Sequence, residues 1–128
     1  YEMSASLVGS EMCIRDSVEP VVSAAVTRLP ECCLCPCKEG AQGGIAPENV
    51  PLLRRQKATV LLLGPGLGGT AQSAARATET RTLVQQLLPG FAGAAVLDAD
   101  GLNAAAQLLA NCNSRAALAI FSGRASIV

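Results

Sequence analysis

Histidine and tryptophan are absent from this 128-residue chain, which has one tyrosine and two phenylalanines. Without histidine, no Ser-His-Asp or Cys-His relay is possible. With so few aromatics, a core must be built from Ala, Val, Leu and Ile, the usual composition of a parallel α/β sheet. Ten basic and ten acidic residues give a formal net charge of zero. The basic residues are scattered, so no basic face argues for a nucleic-acid partner. No apolar run approaches the ~18 residues of a membrane-spanning helix. The start also lacks the basic and apolar regions of a secretory signal. The chain has room for one small domain, expected to be soluble and cytoplasmic, with no membrane partner.

What is present is concentrated in two stretches. Residues 60–63 are a short apolar run, Val-Leu-Leu-Leu, ending abruptly in Gly64-Pro65-Gly66-Leu67-Gly68-Gly69. About thirty residues later, Ala94-Ala95-Val96-Leu97 ends in Asp98-Ala99-Asp100-Gly101-Leu102-Asn103. Each half reads as a buried strand followed by residues suited to ligand contact. In open parallel sheets, ligands bind outside the carboxyl ends of the strands. The two strand ends are therefore expected to form two walls of one site.

Residues 1–17 read differently. Leu7 to Ser17 matches the in-frame translation of a common transposase-based sequencing adapter, and Tyr1-Glu2 fits its upstream part. The segment is set aside from fold reasoning as non-native, which leaves nine basic and seven acidic residues. Residues 18–128 are then expected to be a fragment of a larger domain.

Along that remainder, 18–29 reads as a short helix and 31–37 as a strand bounded by Pro30 and Pro36. Residues 38–47 read as a loop, 48–55 as a helical turn and 58–63 as a strand. A helix over 72–88 carries Leu83, Val84, Leu87 and Leu88 on one edge and stops at Pro89-Gly90. Strand 94–97, a helix over 102–110 and a last strand at 125–128 complete a β-α-β-α-β alternation. This pattern predicts a parallel sheet with helical crossovers.

Glycines after a buried strand let the backbone turn with positive φ and let a ligand approach the main chain. Their N–H groups can bind anionic oxygens. Gly64, Gly66 and Gly69 fit a G-x-G-x-x-G pattern, but Asp98 comes later than the acidic ribose partner of a Rossmann fingerprint. No Lys-Ser or Lys-Thr follows, which excludes a Walker A loop. The same glycines also suit a plain strand-helix turn. Asp98 and Asp100 fit metal-water or hydroxyl contact with Asn103 beside them, and equally a helix cap by Asp100 ahead of Leu102. Cys32, Cys33, Cys35 and Cys37 crowd six residues. With no second pair and no histidine, they read as small buried groups rather than a metal site. Arg54, Arg55 and Lys57 read as a solvated face.

Leu-Leu-Leu-Gly-Pro-Gly-Leu-Gly at 61–68, paired with Val-Leu-Asp-Ala-Asp-Gly-Leu-Asn at 96–103, resembles the ADP/ATP-dependent NAD(P)H-hydrate dehydratases, the YjeF C-terminal-like branch of the ribokinase-like superfamily. Leu29-Pro30-Glu31 and the strand after it resemble the same family. The resemblance implies a three-layer αβα fold, here with a partial parallel sheet. It also implies a lyase that repairs damaged cofactor, NADHX or NADPHX, using ADP or ATP with Mg2+. Gly64, Pro65, Gly66, Leu67, Gly68, Asp98, Asp100 and Asn103 would line the substrate cleft. The family's Thr-Pro-His-Pro-Gly-Glu and Gly-Ser-Gly-Asp segments do not occur in this sequence. The expected catalytic Asp would lie beyond Val128, so the 128-residue chain alone is expected to be inactive. The parent is expected to be a homo-oligomer and to allow fusion to an epimerase domain. Two other classes stay open: a Rossmann-type oxidoreductase fragment and a non-catalytic ribokinase-like binding module.

Overall fold

A computed structural model describes residues 14–30, 33–111 and 118–120. Among them, the elements run β1 (Ile14–Val18), α1 (Glu19–Ala25), β2 (Cys33–Cys37), α2 (Val50–Arg55), β3 (Val60–Leu63), α3 (Ala74–Leu87), β4 (Ala94–Leu97), α4 (Ala99–Asn111) and β5 (Leu118–Ile120). The class is α/β, and every pairing between these strands is parallel. The strands form two sheets, β1-β2 and β3-β4-β5. No helix among the described residues is long and apolar enough to cross a membrane.

The β3-β4-β5 sheet positions the two motifs. Leu63 pairs with Leu97, so both strands end at the same level and their loops leave side by side. Strand order follows chain order, so both crossovers step in one direction. Crossovers of the usual right hand that do so place both helices on one sheet face. The burial pattern agrees. Leu63, Leu83, Val84, Leu87, Leu97, Ala104 and Ala105 form one buried cluster joining β3, β4, α3 and α4. Side chains alternate along a strand, and on the other face Val60 and Leu62 are 58% and 64% exposed.

Local signals set the helix ends. The Ser73 side chain accepts the Arg76 N–H at 3.0 Å, a serine N-cap starting α3. Pro89, in the 3-10 turn Leu88–Gly90, follows its last turn. A second 3-10 turn, Pro47–Asn49, precedes α2 where the spacing predicted a single helical turn.

Four elements depart from the sequence expectation. Helix α1 ends at Ala25, four residues short of the expected 18–29 span, and residues 26–28 form a turn. Helix α4 starts at Ala99, three residues before the expected start, because the Asp98 carbonyl already accepts the Gly101 and Leu102 N–H groups. Strand β5 was not anticipated, and the strand expected at 125–128 lies outside the described residues. Strand β1 falls mostly in the adapter-like segment, where no element was expected; its residues pair in register with Cys33–Cys37.

Candidate functional site

The glycine motif begins as a β-turn. Leu67 N–H donates to the Gly64 carbonyl at 3.1 Å, enclosing Pro65 and Gly66. Gly66 has φ +83°. Proline at the second position and a positive-φ glycine at the third are the signature of a type II turn. Pro65 and Gly66 are exposed, and a Cβ on Gly66 would meet nothing within 4 Å.

Gly64 itself is buried against the other motif. A Cβ there would collide with the Asp98 carbonyl oxygen, and the residue's φ of +144° is unfavourable for any side chain. The Asp98 N–H in turn donates to the Leu63 carbonyl at 3.0 Å. Gly101 completes the contact, since a Cβ on it would meet that same carbonyl and, at 2.8 Å, the Gly64 Cα. The two strand ends are thus joined backbone to backbone.

After the turn, the chain is held by α3. The Thr80 hydroxyl, buried, donates to the Gly68 carbonyl at 2.7 Å and reaches the Leu67 carbonyl at 3.3 Å. The Arg76 guanidinium donates to the Leu67 carbonyl from Nε at 3.0 Å and from a terminal nitrogen at 2.8 Å. Gly69 N–H donates to the Gln72 side chain at 2.7 Å. Helix α3 starts only at Ala74, so the loop does not open directly into a helix as a dinucleotide-binding fingerprint does.

These contacts frame a cleft of about 290 Å³ between α3 and α4. Of the residues anticipated, Gly68, Asp100 and Asn103 line it. Gly64, Pro65, Gly66, Leu67 and Asp98 do not: Gly64 and Asp98 make the joint beneath, and Leu67 packs against the core. Asp98, not Asp100, stands at the start of α4, with its carboxylate accepting the Ala99 N–H at 2.8 Å. Asp100 lies inside the first turn, free of the capping role and close to Gly69. Ala99 takes φ +46°, a left-handed conformation unusual for alanine, at the point where strand gives way to helix.

Sequence reasoning missed Thr70, Ala77, Thr80 and Arg81, which also line the cleft. For Ala77, Thr80 and Arg81 a signal existed. They sit at i, i+3 and i+4 on the anticipated helix, one face opposite Asp100, Asn103 and Ala104 at the same spacing. Thr70 carried no signal beyond its place after the glycines.

A second cluster lies on β1-β2. Ligand atoms of Asp16, Cys35 and Cys37 are within 4.8 Å of one another. Asp16 is opposite Cys35 in register, and Cys35 and Cys37 share a strand face. Burial, then the Asp16 carboxylate, then Cys35, push the Cys37 thiol up to about 12. Burial, with Asp16 next, also raises Cys35. Both thiols are therefore protonated at neutral pH, and Gln56 donates to the Asp16 carboxylate. Among the described residues this is the one such group of three. Its thiols do not suit Mg2+, which takes oxygen ligands.

No protein-family model matches the chain. A relative does. Over 99 residues, 77% of this chain, it is 36% identical to the bifunctional NAD(P)H-hydrate repair enzyme Nnr of Gloeobacter violaceus. The matched stretch spans 17% of that enzyme's length, so this chain corresponds to about a sixth of the relative.

Proposed function

We propose that this chain supplies the substrate wall of an NAD(P)H-hydrate dehydratase, a lyase of nicotinamide-cofactor repair. The observation carrying the proposal is the joint between the two motifs. Gly64 packs on the Asp98 carbonyl at the carboxyl ends of neighbouring parallel strands, where α/β sheets bind ligands. The likeness to a hydrate repair enzyme supports the same reading. Residues 18–128 would belong to the dehydratase domain of a cytoplasmic enzyme, fused in its parent to an epimerase.

In this reading Gly68, Asp100 and Asn103 hold the hydrated cofactor, NADHX or NADPHX. The Gly68 N–H faces one of its anionic oxygens, and the Asp100 and Asn103 side chains its hydroxyls. ADP or ATP supplies the phosphate that turns the hydrate's poor leaving group, hydroxyl, into a good one. The chain is expected to bind without turnover.

Titration of purified chain with (S)-NADPH hydrate, followed by amide NMR, tests this. Saturable shifts at Gly68, Asp100 and Asn103, with no NADPH formed on adding ATP or ADP with Mg2+, are expected. Absence of binding would overturn the proposal. Equal affinity for NADPH itself would favour the dinucleotide-binding oxidoreductase class instead.

A further inference from the structure

Arg76, whose N–H is capped by Ser73, also braces two loops with its side chain. Its guanidinium spends two donors on the Leu67 carbonyl and a third on the Gln42 carbonyl at 2.7 Å. One turn on, the Glu79 carboxylate accepts the Gln42 and Gly44 N–H groups at 3.1 and 3.0 Å. Arg76 therefore ties the 38–47 loop to the glycine loop, and Glu79 anchors the 38–47 loop on α3. Asn49, buried, closes the 38–47 loop from the other end by bonding the Lys38 N–H and the Lys38 and Ala46 carbonyls at 2.8 Å.

This matters because a peptide unit is planar and trans. The Leu67 carbonyl and the Gly68 N–H belong to one plane and point in opposite directions. Holding the carbonyl toward Arg76 and Thr80 directs the Gly68 N–H to the other side of the loop. A single neutral donor would leave the peptide free to rock. Two charged N–H donors converging on that one oxygen hold it in place.

We propose that Arg76 is a positioning residue: by forking onto the Leu67 carbonyl it aims the Gly68 N–H at an anionic oxygen of the bound hydrate. This rests on the proposed function above. Arg76 touches no substrate; it acts through the peptide it holds. The Gln42 contact makes the 38–47 loop part of the same support.

The experiment measures (S)-NADPH hydrate binding by the 128-residue chain, wild type, Arg76→Ala and Arg76→Lys, with Gly68 amide NMR and circular dichroism alongside. Wild type binds, and Arg76→Ala is expected to weaken binding about tenfold or more and to abolish the ligand-induced Gly68 shift. Methylguanidinium added to Arg76→Ala should restore both. Arg76→Lys, whose ammonium reaches one carbonyl but cannot fork, should recover affinity in part. Wild-type binding with undiminished affinity in Arg76→Ala overturns the positioning role alone. A loss that neither methylguanidinium nor lysine restores also overturns it, because the residue is then merely structural. No binding by wild type overturns the functional reading, and this inference with it.

Discussion

The carbonyl oxygen of Asp98 occupies the space in which a side chain on Gly64 would begin. The motifs that end β3 and β4 are thus in contact through their main chains. Neither loop can shift without moving the other.

Gly64→Ala is therefore expected to cost about 3 kcal/mol or more, while Gly66→Ala, strained in φ but facing open space, costs about 1–2 kcal/mol. Urea unfolding of the two variants checks the difference. Equal losses would mean that the strand ends are not in contact.

Gly101 offers a test of opposite sign. In an ordinary helix interior, replacing glycine with alanine gains up to about 1 kcal/mol. Here the new Cβ would meet the Leu63 carbonyl, so Gly101→Ala should lower the melting temperature.

Thr80→Val keeps the side chain's shape and removes its donor from the Gly68 carbonyl. A loss of about 1–2 kcal/mol is expected, together with faster hydrogen exchange at the Gly69 amide, which donates to Gln72. Unchanged exchange would show that Thr80 does not hold the loop.

The Cys37 thiol sets an alkaline limit. Its pKa rises from 9.0 to about 12 in the folded chain, so the unfolded chain gives up this proton first as pH climbs. The folded state's advantage is complete below pH 9 and declines between pH 9 and about 12. Thermal melts across that range should fall more steeply in wild type than in Cys37→Ala. Parallel curves would remove the thiol as the cause.

The two sheet faces should respond differently to substitution. Leu63→Ala, in the buried cluster, is expected to cost about 2–5 kcal/mol, whereas Leu62→Lys on the uncovered face should stay within about 0.5 kcal/mol. A large loss in Leu62→Lys would mean that this face is packed.

Much of the α/β order was legible because short apolar runs punctuated by glycine and proline have few other solutions. Val60–Leu63, Ala94–Leu97 and the serine-capped α3 stand within two residues of their expected bounds. The start of α4 was not legible. The sequence left Asp100 as a candidate cap ahead of Leu102, whereas the Asp98 carbonyl starts the helix at Ala99, with Gly101 packed on β3. Of the eight anticipated site residues, three reach the cleft. Distance along the chain says nothing about which side of a loop faces solvent.

From the sequence alone came the parallel α/β class, the pairing of two strand-end motifs and the glycines that turn between strand and helix. These follow from local rules of periodicity, turn chemistry and the room that glycine leaves. Tertiary structure alone decided that Gly64 and Asp98 meet backbone to backbone. It also decided that Arg76 and Thr80 bond the Leu67 and Gly68 carbonyls, and that Arg81 shares a cleft with Asp100. Those relations depend on how α3 and α4 lie across one face of the sheet. That geometry comes from the common direction of two crossovers, which no local stretch of sequence encodes.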